Sequence, residues 1–429
     1  MSQHSTVFVA LSTSQNIANI LPILELAQCG DQVLWIESAT AKKSNWSTGA
    51  CDVLRQQGVT AIHLIEVDDE PASIHRVLRQ HPLITTTGNI IKLVANGGTK
   101  LQMMAAAKAL NGHLDELLYN SDRVCVLERE RDNQPINATF YSRHQVDLSE
   151  VLACNNREIV SSHERRVWPT TELPKKPRYG LDVDYTRDCH QRIFDWIQTH
   201  PDAPKKAFSY QQATQLAPEY GDQFQAQICK ACNLEINESS KIKKRNLEAL
   251  YNCAHQLDRE AWNCVGDDEA PNIGRELEDA VAARVVCWLK TNPRFEQIVQ
   301  SVWCNVKVRQ RGKKEDVAEL DTALLLKNGI LLHLECKSFD AKIKDMNSRL
   351  GELQRSSSQL ARIAICAPSY PVFENEKWHQ ALSKKTAAMR EWKQFKFIAF
   401  TFPHQNDATE ITFENAMTQW LESYLPTGF

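Results

Sequence analysis

The residues best placed to do chemistry fall between Val317 and Asp340, VAELDTALLLKNGILLHLECKSFD, where Glu319, Asp321, Glu335 and Lys337 lie close in sequence. Two runs of apolar and β-branched residues, broken by Lys327-Asn328-Gly329, read as a β-hairpin. Side chains alternate along a strand, so Glu319, Asp321 and Ala323 share one face, and Glu335 and Lys337 share another. The turn decides whether those faces coincide. A two-residue Asn-Gly loop would set Asp321 opposite Cys336 and separate the acids. A three-residue loop, with Gly329 in the left-handed region, sets Asp321 opposite Glu335 and Glu319 opposite Lys337. The second register is the expectation, since a one-residue slip would flip every side chain. It gathers three carboxylates and an ammonium on one patch. Carboxylates so placed repel, and one is pushed toward protonation. A hard divalent cation, Mg²⁺ or Mn²⁺, relieves that repulsion, and the lysine adds fixed positive charge beside it.

This spacing, an acid followed about a dozen residues later by acid-x-Lys, resembles the core of the PD-(D/E)xK nuclease superfamily. By that resemblance the motif falls on Asp321, Glu335 and Lys337, although Asp321 follows Leu320 where the family name has proline. The family also places a glutamate on the helix before its sheet, and Gly274 to Glu278, GRELE, resembles that element. Glu278 shares an apolar helical stripe with Val281, Ala282, Val285 and Leu289. An acid on such a stripe needs a partner, because an unpaired buried charge is costly. Glu276 and Asp279 read as first-turn charges favoured by the helix dipole. The resemblance implies that Glu278, Asp321 and Glu335 hold one or two Mg²⁺ or Mn²⁺ ions. Lys337 then stabilises developing negative charge or orients water, and Glu319 is an outer acid. Glu-x-Lys is also a common tripeptide, and a half-exposed hairpin with solvated charges would carry it equally.

Residues 1–145 alternate strand and helix signals: strands at Val7–Leu11, Val33–Glu37, Ile62–Val67 and Ile90–Ala95, with helices between them and after Lys100. Closing strands are expected at Val124–Glu128 and Ala138–Tyr141. Such repetition predicts an open, mostly parallel sheet with helices on both faces, and ligands bind beyond the carboxyl ends of its strands. Two loops at those ends suit an anion. One holds Ser12, Thr13, Gln15 and Asn16; the other is Asn96, Gly97, Gly98, Thr99 and Lys100, and each opens a helix. The second is neither a dinucleotide fingerprint nor a P-loop. A plain tight turn capped by Thr99 would have the same sequence.

Taken as a pair, a strand followed by Ser-x-x-Gln-Asn and a later strand followed by Asn-Gly-Gly-Thr-Lys-Leu resemble the CRISPR-associated Rossmann-fold (CARF) sensor domains. A CARF-like front and a PD-(D/E)xK back resemble the CARF-fused nucleases of type III CRISPR defence. The resemblance implies a homodimer that binds a cyclic oligoadenylate, cyclic tetra-adenylate first among them, and then cuts DNA and/or RNA. The named residues of the two loops would form the ligand site, with Trp35 to Thr40 as a side wall. A cyclic ligand suits a two-fold interface between two sensor domains.

Three regions follow: a sensor at 1–145, a linker and helical region at 146–265, and an α/β, restriction-endonuclease-like domain at 266–429. In the middle region, Ser161 to Tyr179 is basic and proline-containing, and helices suit 187–199, 208–233 and 241–256. Cys229-x-x-Cys232 lacks a second close pair for structural zinc. The cluster Lys241, Lys243, Lys244 and Arg245 suits a solvated helix face. In the last region, Gln297 to Gln310 reads as the first strand. Lys307, Arg309 and Arg311 alternate onto one face of it, a track able to hold a phosphodiester backbone or to guard an edge. A helix over Asp340 to Leu360, strands at Ile363–Ala367 and Phe395–Phe402, and a helix near 376–392 complete it.

Across the 429 residues, 50 Lys and Arg stand against 53 Asp and Glu, so no global basic field advertises nucleic-acid binding. No signal peptide or membrane-length apolar run is read, and 13 scattered cysteines suit a reducing cytoplasm. Two other readings use the same residues: a repair or restriction-like nuclease with another trigger, and a ligand-responsive nucleic-acid-binding regulator without catalysis.

Overall fold

The computed structural model describes residues 5–143, 146–160, 166–169, 273–337, 341–369, 387–401 and 411–427. The Cys229/Cys232 pair, the Lys241–Arg245 cluster, the middle helices and most of the helix expected near 376–392 lie outside them.

The first domain runs β1 (Thr6–Leu11), α1 (Ile17–Leu26), β2 (Gln32–Ser38), α2 (Ala39–Lys43), α3 (Ser47–Gln56), β3 (Ala61–Val67) and α4 (Pro71–Gln80). It continues with α5 (Pro82–Thr85), β4 (Ile90–Val94), α6 (Lys100–Ala109), β5 (Leu114–Asn120), β6 (Val126–Arg131) and β7 (Gln134–Phe140). The strands lie in the order β3-β2-β1-β4-β5-β6-β7. The first five are parallel, and β6 and β7 close the sheet as antiparallel neighbours. The near-continuous apolar runs of β1, β2 and β4 follow from burial on both faces. Strand order reverses between β1 and β4, and the crevice beyond their carboxyl ends is where both anion-suited loops emerge.

β5 has no counterpart in the sequence reading, which places no strand between Leu110 and Val124. Its segment, LDELLYN, carries two acids, yet Glu116 is 1% exposed in the middle of the sheet. Arg129 on β6 and Lys92 on β4 both pair with it, the latter at 3.2 Å. Burial works to raise the Glu116 carboxyl, and the two cations outweigh it and hold it below its ordinary value. A strand that reads polar is thus admitted to the sheet by paired charge.

Next come α7 (Leu148–Ala153), β8 (Arg157–Ile159), β9 (Arg166–Trp168), α8 (Ile273–Thr291), α9 (Pro293–Glu296), β10 (Val299–Gln310), β11 (Asp316–Leu326) and β12 (Leu331–Cys336). Then follow α10 (Ile343–Ser356), β13 (Arg362–Ser369), β14 (Lys396–Thr401) and α11 (Phe413–Glu422). The second sheet has the order β14-β13-β12-β11-β10-β8, with β9 also on β10. β10 to β12 form an antiparallel meander, and β12 to β14 are parallel. β8 and β9, from the stretch read as linker, therefore lie on the edge of this sheet. The stripe Val281, Ala282, Val285 and Leu289 of α8 is fully buried, in one core with Leu332, Leu334, Phe400 and Met417. α10 packs Met346 and Leu353 into a different core, shared with Leu325, Leu331 and the first domain's Ile17 and Leu21.

The turn of the β11–β12 hairpin enters that shared core. Gly329 has φ +81°, and a Cβ there would lie 2.7 Å from Ile17 Cγ1 and 3.0 Å from Leu21 Cδ1 on α1. Left-handed strain and a steric clash would act together. Gly329→Ala is expected to cost about 1–3 kcal/mol, read as a lower denaturant midpoint at unchanged slope. An unaltered midpoint would mean that the turn does not seat on α1 in solution.

Candidate active site and ligand loops

The hairpin adopts the three-residue turn: the Leu326 N–H bonds to the Ile330 carbonyl, and Lys327, Asn328 and Gly329 form the loop. Thr322 pairs with Leu334 and Ala323 with His333. Asp321 and Glu335 therefore project from one face, 6% and 0% exposed. Asp321 is fixed by its surroundings. Its Oδ2 accepts the Cys336 N–H at 2.8 Å, and its own N–H donates to His333 Nε2 at 3.0 Å. Glu335 Oε1 receives Lys337 Nζ at 2.5 Å and Arg349 Nη1 of α10 at 2.5 Å. Among the described residues, the buried Glu335 Oε2 has no hydrogen-bond partner.

Glu278, half-buried on α8, lies near enough to act on Asp321. Burial first, then Glu335 and Glu278, pushes the Asp321 carboxyl well above the usual carboxylate range. Burial also works to raise Glu335, but His333 while protonated, and Lys337 and Arg349 throughout, outweigh it and hold that carboxyl down. Burial lowers His333 to about 4, so its imidazole is neutral near pH 7, as its acceptance of the Asp321 N–H at Nε2 requires. Glu319 is exposed on the same strand, two residues from Asp321.

These residues fit a divalent cation. Asp321, His333 and Glu335 offer donor atoms within 4.8 Å of one another. The Glu335 oxygen without a hydrogen bond and the Asp321 carboxyl, pushed up by burial and two neighbouring carboxylates, are both relieved by positive charge. His333 and Arg349 were not expected at the site. The alternation that groups Glu335 with Lys337 also groups His333 with them, so the histidine was findable. Arg349 is one of several basic residues on its helix, and only packing singles it out.

In the first domain, Gly97 joins the two loops: a Cβ there would lie 1.7 Å from the Leu11 carbonyl oxygen. The polar groups of the loops are largely engaged with the protein itself. The Ser12 hydroxyl accepts from Ser47, whose oxygen accepts from Trp35 Nε1. Asn16 Oδ1 accepts the Thr13 N–H, and its Nδ2 donates to the Trp46 carbonyl at 2.6 Å. Thr99 caps α6 in a capping box with Gln102, the structural role the sequence also allowed. Trp35 is fully buried and cannot form an outer wall. Gln15 is half-buried, and Gly98, Thr99 and Lys100 are exposed at the crevice.

Asn96 reaches further. Its Nδ2 donates to the Asn120 carbonyl at 2.9 Å, and its Oδ1 accepts the Asn120 N–H at 2.8 Å. The Asn120 side chain in turn donates to the Asn328 carbonyl at 3.0 Å, and Asn328 Nδ2 donates to the Ser121 carbonyl at 3.2 Å. An amide chain, part-buried at Asn96 and buried at Asn120 and Asn328, thus runs from the glycine loop to the turn of the hairpin that carries Asp321 and Glu335.

Two solved structures share this arrangement of domains. Protein VC1899 from Vibrio cholerae superposes with a TM-score of 0.57 at 14% identity, over 97% of this chain and 98% of that one. Can2 from Sulfobacillus thermosulfidooxidans, solved in complex with cyclic tetra-adenylate, gives 0.51 at 14% identity, over 97% and 99%. The chain has their two-domain α/β fold. No protein-family model matches the chain, and no curated protein does. Among the described residues, no helix is long and apolar enough to cross a membrane.

Proposed function

We propose that this chain is a metal-dependent nuclease of the PD-(D/E)xK type, switched on by a cyclic oligoadenylate bound at a CARF-like first domain. Cyclic tetra-adenylate is the first candidate, since the similarly folded Can2 was solved with it. The carrying observation is the buried face where Asp321, Glu335, His333 and Lys337 converge on a hairpin whose turn is seated in the first domain. Asp321 and Glu335, with Glu278 beside them, would hold Mg²⁺ or Mn²⁺, while His333 Nε2 accepts the Asp321 N–H. The ion, when bound, supplies a water of lowered pKa and polarises the scissile phosphate. Lys337 offsets negative charge as it develops, and the Cys336 N–H and His333 keep Asp321 in place. The substrate is DNA and/or RNA, the working form a homodimer across the loops, and the setting cytoplasmic type III CRISPR defence.

Calorimetry with a panel of cyclic oligoadenylates, paired with Mn²⁺-dependent cleavage of DNA and RNA, tests this. A micromolar or tighter binder that raises the cleavage rate is expected, and Thr99→Ala with Lys100→Ala should lose that binder. Cleavage that proceeds equally with and without every ring would remove the sensor half of the proposal and leave a nuclease with another trigger.

A further inference from the structure

We infer that Arg349 is a second working cation of the acidic site. It holds Glu335 while no metal is there, and it takes the phosphodiester backbone in the adjoining groove once a metal claims that carboxylate. This rests on the nuclease reading above. Two cations meet one oxygen, Glu335 Oε1, while Oε2 has no hydrogen bond among the described residues. A divalent cation drawn to Asp321 and Glu335 arrives beside two positive charges, and the repulsion falls on whichever can leave.

The two cations differ in that respect. Lys337 follows Glu335 on the same strand by two residues, and its side chain is 23% exposed. Arg349 comes from a separate element, α10, and is 43% exposed, so its outer half is already in water and its departure exposes little. A cavity of about 310 Å³ opens beside it, lined by Lys307, Asp316, Glu319, His333 and Glu352 as well as Arg349. Glu352 is engaged by Arg157 and Arg355 and does not compete for the guanidinium. Lys307 lies across from Glu319 on the neighbouring strand, which puts a second cation on the groove wall. A guanidinium offers phosphate two parallel N–H donors, which an ammonium cannot, and a guanidinium at the boundary between groove and acids can serve either anion.

Two binding measurements on the full chain test the inference without relying on turnover. Calorimetry with Mn²⁺ alone reads the contest for Glu335. Fluorescence anisotropy of DNA and RNA oligonucleotides, in Ca²⁺ with no product formed, reads the groove. Arg349→Met is expected to bind Mn²⁺ about tenfold more tightly and to lose about tenfold in oligonucleotide affinity. Arg349→Lys should restore the Mn²⁺ contest but only part of the oligonucleotide affinity. Lys307→Ala should weaken oligonucleotide binding and leave Mn²⁺ unchanged.

Tighter Mn²⁺ with unaltered oligonucleotide binding would make Arg349 a counter-charge only and overturn the inference. Weaker Mn²⁺ binding in Arg349→Met, with wild type binding normally, would overturn it and leave the metal reading standing. If neither wild type nor Arg349→Met binds Mn²⁺, the metal reading falls and the inference falls with it.

Discussion

Glu335→Gln is expected to abolish cleavage, with a loss of about 10³-fold or more in the single-turnover rate. The replacement keeps the shape of a side chain that is 0% exposed, so it creates no cavity. What it removes is the charge to which Lys337 and Arg349 are drawn, and with it half of the carboxylate pair on the hairpin face. Mn²⁺ binding should weaken in parallel by calorimetry, while oligoadenylate binding stays within a few-fold of wild type. Asp321→Asn should behave alike, because an amide oxygen still accepts the Cys336 N–H but offers a metal less charge. Glu278→Ala should follow them. Full activity of that variant would move the helix acid elsewhere, most directly to Glu276. Cleavage that survives Glu335→Gln at saturating Mn²⁺ would leave the hairpin as a structural charge cluster.

The hairpin was legible because its determinants are local. Gly329 supplies the one left-handed residue that a three-residue turn needs, and strand alternation then fixes which side chains meet. The α8 stripe and the runs in β1, β2 and β4 were legible for the same reason. What the sequence concealed depends on partners far along the chain. β5 reads as polar until Lys92 and Arg129 are seen to neutralise Glu116. β8 and β9 are three residues each, too short for a periodic signal, and exist because β10 extends past them. Asn16 and Asn96 suggested ligand amides, since asparagine in a loop serves a ligand and a backbone equally well; the structure engages both with backbone groups.

Asn120 is the residue at which sensing and cleavage should come apart. Asn96 bonds only to its backbone N–H and carbonyl, so Asn120→Ala leaves the glycine loop held as before. The same change removes the donor to the Asn328 carbonyl, one of the side-chain links between the end of β5 and the hairpin turn, while Asn328 Nδ2 keeps its bond to the Ser121 carbonyl. It also strips the Tyr141 hydroxyl of its acceptor, so some stability, about 1–3 kcal/mol, should go with it. Asn120→Asp keeps an acceptor for Tyr141 while losing the amide donor, but it sets a buried carboxylate against the Asn328 carbonyl. The denaturant midpoint of each variant is therefore measured beside its stimulation, to separate uncoupling from destabilisation. In both variants oligoadenylate affinity should stay within a few-fold of wild type and basal cleavage should persist, but stimulation by the ligand should drop about tenfold or more, the size of an ordinary coupling energy. Coupling is reciprocal, so a second readout is available: the ligand should strengthen Mn²⁺ binding in wild type and fail to do so in Asn120→Asp. A ligand that binds both states equally shifts nothing, and the amide chain offers a physical route by which the two states could differ at the hairpin. Equal stimulation of wild type and Asn120→Asp would show that the signal reaches Asp321 and Glu335 by another path, through the packing of Gly329 on Ile17 and Leu21.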